Sequence, residues 1–192
     1  MRRASLVTVL LPLVLWLAPT GALGTTTERV TVEALTRRSE DVVLAVARRS
    51  HARWDGRVIV TDTELEVTSV LRGRLIPRSA ILVTTPGGVV GRIGQVVPGA
   101  PVFTDGGAYV LFLQPGAGTL RYLSHLTAAA VSVSVGPGGV LASVPGDLTL
   151  PAEAAPPGPS QGGAPGVVTG AHRAAVTVPL ERLVRAIQGA GP

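Results

Sequence analysis

Alternation of apolar and polar positions is clearest in the middle of the chain. Ile59, Thr61, Thr63, Leu65, Val67, Ser69 and Leu71 alternate with Val60, Asp62, Glu64, Glu66 and Thr68, which predicts a long half-buried strand with its acids on the wet face. Asp55 and Gly56, between Trp54 and Arg57, supply the turn that joins this strand to the one before it as a hairpin. The preceding segment, Val42, Val43, Leu44, Ala45, Val46 and Ala47, is apolar without interruption, a pattern shared by buried strands and buried helices. Its β-branched content favours a strand over 42–50, with a helix through the segment as the open alternative.

Further strands are expected at 80–85, 93–97, 109–113, 129–135 and 140–144. Turn residues separate them: Pro86-Gly87-Gly88, Pro98-Gly99, Gly106-Gly107 and Gly136-Pro137-Gly138-Gly139. Short strands at such spacing predict a mainly β chain, an antiparallel barrel or sandwich. Thr31 is placed to cap a brief helix running through Leu35 to Arg38, with Glu33 in its first turn. Near the C-terminus, Pro179 suits a first helical position, Leu180, Leu183, Val184 and Ile187 share a face, and Gly189 stops the helix. A helix this short needs a surface to dock on.

The two ends of the chain add compartment and boundaries. Arg2 and Arg3, an apolar run over 6–18, Pro19 and the small-residue site Ala22-Leu23-Gly24 form a secretory signal peptide at 1–24. The run is shorter than the roughly 18 to 20 residues of a bilayer-spanning helix, and no later segment reaches that length. The expected product therefore begins near Thr25 and is secreted or periplasmic. Its parts are a β domain at 25–150, a Pro/Gly-rich linker at 151–172 and a strand/helix tail at 173–192.

Chemistry is constrained mostly by what the chain lacks. With no cysteine there is no disulfide framework, thiolate metal site or thiol nucleophile. His51, His125 and His172 form no metal-binding spacing, and Ser124 beside His125 is no triad, since neighbours on a strand face opposite ways. The stretch PGGVVGRIG from Pro86 lacks both the spacing and the lysine of a phosphate-binding loop, so its glycines read as sheet architecture. No cofactor motif is present. Asp62, Glu64 and Glu66 make a flat row of carboxylates, the pattern of a solvated face whose repulsion is eased if Arg48, Arg49, Arg53 or Arg57 lies alongside.

Charge leaves one binding surface to consider. The formal net charge is +5, and loss of Arg2 and Arg3 with the leader brings it to +3. Arg37, Arg38, Arg48, Arg49, Arg53 and Arg57 are the densest basic stretch, a candidate contact for an envelope polyanion or a protein partner, with Arg72, Arg74 and Arg78 as a second group. Nucleic acid is disfavoured, because aromatics for stacking are only 3% of the chain.

The order EDVVLAVARRSHARWDGRVIVTDTELEVTSVLRGRL, then PGGVVGRIGQVVPGAPVFTDGGAYVLFLQP, resembles an uncharacterised family of exported bacterial proteins. The carrying features are the turn Val70-Leu71-Arg72-Gly73, the PGG segment, and the closing stretch from Gly99-Ala100-Pro101 to Leu111-Phe112-Leu113. The same strand order is similar to the netrin-like, OB-type barrel of tissue inhibitors of metalloproteinases. That resemblance implies a small antiparallel β-barrel, here with the short N-terminal and C-terminal helices read above, and makes an exported protease a candidate partner; export, the barrel pattern and the lack of an assembled catalytic constellation give the expectation of a non-catalytic module binding another macromolecule. Those inhibitors present an N-terminal cysteine to the protease zinc; this chain has none, so no functional residue carries over. A polyanion-binding role and an atypical hydrolase are the alternatives.

Overall fold

A computed structural model describes residues 29–151 and 174–191. The leader at 1–24, nearly all of the linker and His172 lie outside those residues. Two fifteen-residue strands, β2 (Asp41–Asp55) and β3 (Val58–Arg72), form the spine of the fold, preceded by β1 (Val30–Thr31) and α1 (Val32–Arg38). Then come β4 (Ala80–Pro86), β5 (Gly88–Val90), β6 (Ile93–Gln95), β7 (Ala108–Pro115), β8 (Leu120–Leu123), β9 (Ala130–Gly136), β10 (Gly139–Val144) and β11 (Leu148–Thr149). β12 (Val176–Pro179) and α2 (Leu180–Gln188) end the chain.

The protein is mainly β, with eight strands in one sheet ordered β12-β10-β9-β7-β2-β3-β4-β8. Neighbours pair antiparallel except β4 with β8, which are parallel, and β8 also pairs antiparallel with β7. The β5–β6 hairpin stands apart as a two-stranded ribbon, and β1 pairs parallel with β11. Among the described residues no helix is long and apolar enough to cross a membrane.

The apolar run at 42–47 is strand, and its lack of alternation has a physical cause. Val42 belongs to one core and Val43, Ala45 and Ala47 to another, so both faces of β2 are covered. β7 is the same: Val110 and Phe112 join Val42, whereas Tyr109, Leu111 and Leu113 join Val43. The first core is roofed by the helices, with Leu35 of α1 and Leu183 and Ile187 of α2 fully or nearly fully buried. The second is filled by Leu65, Val67, Ile81, Val83 and Phe103, whose ring meets Tyr109 edge-on at 4.9 Å.

Several boundaries differ from the sequence reading. β2 runs on from Ser50 to Asp55, because the hairpin partner β3 pairs with it along its whole length and leaves only Gly56-Arg57 as the loop. Gly88 begins β5 instead of ending a turn, β6 stops at Gln95, and β8 carries too few alternating residues to announce itself. Pro179 caps α2 from outside the helix. The α1 expectation holds in detail, since Thr31 Oγ1 accepts from the Ala34 N–H at 3.1 Å and Arg37 and Arg38 occupy the last turn.

The turn after β3 is built around a buried carboxylate. Asp41 Oδ1 accepts from the Arg74 and Leu75 N–H groups at 2.8 and 3.2 Å, while its Oδ2 lies 3.9 Å from the Arg121 guanidinium. Gly73 has φ +105°, and a Cβ there would come within 2.7 Å of Glu40 O and 2.8 Å of Asp41 Cα. The glycine that follows the long strand is thus required by the close approach of two backbones.

Candidate functional site

The outer half of the β2–β3 hairpin extends past the two cores as an arm, held on one side by β4, which pairs with β3 over Val60–Glu66, and with Ile59 and Thr63 fully buried. Neither core includes a β2 residue after Ala47 or a β3 residue before Leu65. The register shifts between Ala47 and Arg49, so Arg48 is the extra residue of a bulge. That shift lets two consecutive arginines reach the same acidic row. Arg48 pairs with Glu66 at 2.7 Å, Arg49 with Glu64 at 2.9 Å, and Arg53 with Asp62 at 2.6 Å.

Asp62 is the least exposed member of that row. Burial pushes its carboxyl up, but hydrogen bonds from Arg53 and from Thr84 Oγ1 at 2.6 Å, with the charges of Arg53 and His51, outweigh it and hold the pKa below the ordinary value. The Arg53 guanidinium is raised in turn by its bond to, and attraction for, Asp62. Asp62 therefore stabilises the fold at neutral pH, and that contribution is lost as pH falls below the ordinary carboxylate range and through the depressed native value. Melting scans from pH 6 to pH 2.5 should show Asp62→Asn less stable near neutrality and with a flatter acid limb than the wild type.

An open depression of about 460 Å³ lies on this face, lined by Arg49, Ser50, His51, Asp62, Glu64 and Leu82. Its carboxylates are both engaged, Glu64 with Arg49 and Asp62 with Arg53 and the Thr84 hydroxyl. His125 is a turn residue: its Nδ1 accepts from the Thr127 and Ala128 N–H groups at 3.3 and 3.2 Å, and Thr127 Oγ1 donates to Asp147. Ser124 instead shares a 2.7 Å hydrogen bond with Ser39. Among the described residues no three His, Asp or Glu side chains are grouped to hold a metal ion.

The six arginines singled out by sequence do not form one patch. Arg48, Arg49 and Arg53 are spent on the carboxylate row, Arg57 stands in the hairpin loop, and Arg37 and Arg38 sit at the far end of β2, beside the Asp41 turn. Exposed pairs of this kind contribute little to stability and fade with salt. Their clearer effect is to neutralise the face they lie on.

What sequence reasoning missed is the apolar surface of the arm. The β5–β6 hairpin is rooted on β3: the Ile59 N–H donates to Gln95 Oε1 at 2.8 Å, the Gly87 N–H to Ile59 O at 2.8 Å, and Thr61 Oγ1 to Gly87 O at 2.7 Å. Gly88 is close enough to β2 that a Cβ there would stand 3.0 Å from the Ala52 Cβ. Trp54, Val58, Val89, Ile93 and Val96 nevertheless stay exposed, Trp54 at 45% and Val96 at 91%. The signal was the repeated Gly-Arg-apolar step in DGRV and VGRI, which marks two hairpin loops each followed by an apolar residue. No protein-family model matches the chain and no curated protein matches it, so the resemblance drawn above rests on its own residues.

Proposed function

We propose that the chain is an exported, non-catalytic β-barrel module that binds another protein through its arm, with an exported protease as the partner class. The barrel reading is supported by the pairings β2–β3–β4–β8–β7–β2, a five-strand circuit of the kind an OB-type barrel uses, with the Leu65–Val83–Leu111 core as its interior. Export is supported by the charge, apolar run and small-residue site of residues 1–24. The observation that carries the binding role is the exposed set Trp54, Val58, Val89, Ile93 and Val96, held on two hairpins outside both cores. Exposed aromatic and large apolar side chains are the usual anchors of protein interfaces, and here they stand on both faces of the hairpin tip, with Trp54 opposite Ile59 and Val58 opposite Asp55.

The partner class comes from the resemblance to tissue inhibitors, and the test treats it separately. Immobilised protein is exposed at micromolar concentration to the host's exported proteins, beside the double variant Trp54→Ala, Ile93→Asp. Both side chains are exposed, so the variant should melt with the wild type. Retention of one protein by the wild type and at least about tenfold weaker retention by the variant is the expected result, with slowed peptide cleavage when the retained protein is a protease. Equal retention by both forms, or none, removes the arm from the account.

A further inference from the structure

We infer that the end of the protein opposite the arm, where the β3–β4 loop meets the last turn of α1, docks on an anionic lipid surface. Arg37, Arg38, Arg74 and Arg78 are exposed there, and none has a carboxylate partner among the described residues, in contrast to the paired arginines of the arm. The fold brings the two sequence groups together. Gly73 packs against the Glu40 and Asp41 backbone, Asp41 receives the Arg74 N–H, and Gln114 Nε2 donates to Arg38 O. The acids beside this rim are Glu40, Asp41 and Glu66; Asp41 is turned inward to Arg121 and the turn amides, and Glu66, opposite Ala80, is held by Arg48.

The apolar tip of the loop selects lipid over a soluble polyanion. Ile76 is 71% exposed between Arg74 and Arg78, while Leu75 beside it packs on the core. The loop is fastened on both sides of Ile76. Asp41 holds the Arg74 and Leu75 N–H groups, the Arg78 N–H donates to Val67 O at 2.6 Å, and Ser79 Oγ donates to Ile76 O at 2.6 Å. Arg78 has φ +67°, which makes it the one non-glycine among the described residues in the left-handed region. A strained, pinned loop that presents an isoleucine between two guanidiniums suits shallow insertion, with the arginines reaching lipid phosphates and the apolar side chain entering below them. A carbohydrate or phosphate polymer gains nothing from the isoleucine.

The protein recovered after secretion is floated with phosphatidylglycerol–phosphatidylcholine vesicles and with phosphatidylcholine vesicles. The expected result is salt-sensitive binding to the first and at least about tenfold weaker binding to the second. Ile76→Asp should weaken binding to the anionic vesicles by a similar factor, as should Arg74→Glu with Arg78→Asn, asparagine being tolerant of the left-handed backbone. Arg48→Ala with Arg49→Ala should bind as the wild type does. All substituted side chains are exposed, so melting temperature controls for folding. No binding, or binding that ignores Ile76, overturns the inference. Arginine-dependent capture by heparin beads with no Ile76 dependence on vesicles also overturns it, in favour of an acidic polysaccharide.

Discussion

Replacing Asp41 by alanine should cost about 3–5 kcal/mol of folding stability, because it strips a buried cation of its counter-charge and two turn amides of their acceptor at once. The Arg121 side chain is only 16% exposed and Asp41 5%. Arg121 Nη1 still donates to Gly118 O and Leu120 O, but its Nε has no hydrogen-bond partner, so the nearby carboxylate is what compensates the charge. Asp41→Asn keeps an oxygen for the Arg74 and Leu75 N–H groups and should lose a smaller part of the total. Urea unfolding of the two variants separates the terms: a cost for asparagine equal to that for alanine would mean the charge, not the turn, dominates.

Phe112→Ala should be comparably damaging, about 3–5 kcal/mol from the lost ring and the cavity left behind. Phe112 is fully buried in the core that the two helices roof, and it lies on β7, which is covered on both faces. Little backbone there is free to collapse into the space. Thermal melting followed by circular dichroism should fall by 10 °C or more, on the order expected for a domain of this size. A drop of only a few degrees would show that α2 and Leu183 settle into the gap, and so that the helix is loosely held.

These two residues also mark where the sequence was legible and where it was not. Phe112 sits in a strand whose existence was plain, but Val42–Val43 and Tyr109–Leu113 hid their strand period because neighbours enter different cores. Alternation reports a single wet face and is silent where both faces are dry. β3 alternated cleanly and its acidic row was readable, while the neighbouring arginines were a condition that Arg48, Arg49 and Arg53 meet and Arg57, in the loop, does not. The role of Asp41 was not, because a lone aspartate before an apolar run gives no hint of the turn thirty residues later that it caps.

The candidate site was only partly readable for a related reason. Sequence proximity grouped Arg37 and Arg38 with Arg48, Arg49 and Arg53, whereas the first two end α1 before β2 begins and the others lie in the second half of that fifteen-residue strand. Alternation in β3 also gave no sign of where the body ends and the arm begins. Trp54 and Val58 entered the sequence reading only as neighbours of the Asp55-Gly56-Arg57 turn, and the structure leaves both exposed there.

The most direct test of the arm as the binding surface is hydrogen exchange on the protein alone and with the protein it captures. The account predicts slowed exchange at residues 52–60 and 87–96 on binding, with β7, β9 and β10 unchanged. Protection confined to the body, with the arm exchanging as it does in the free protein, would contradict it.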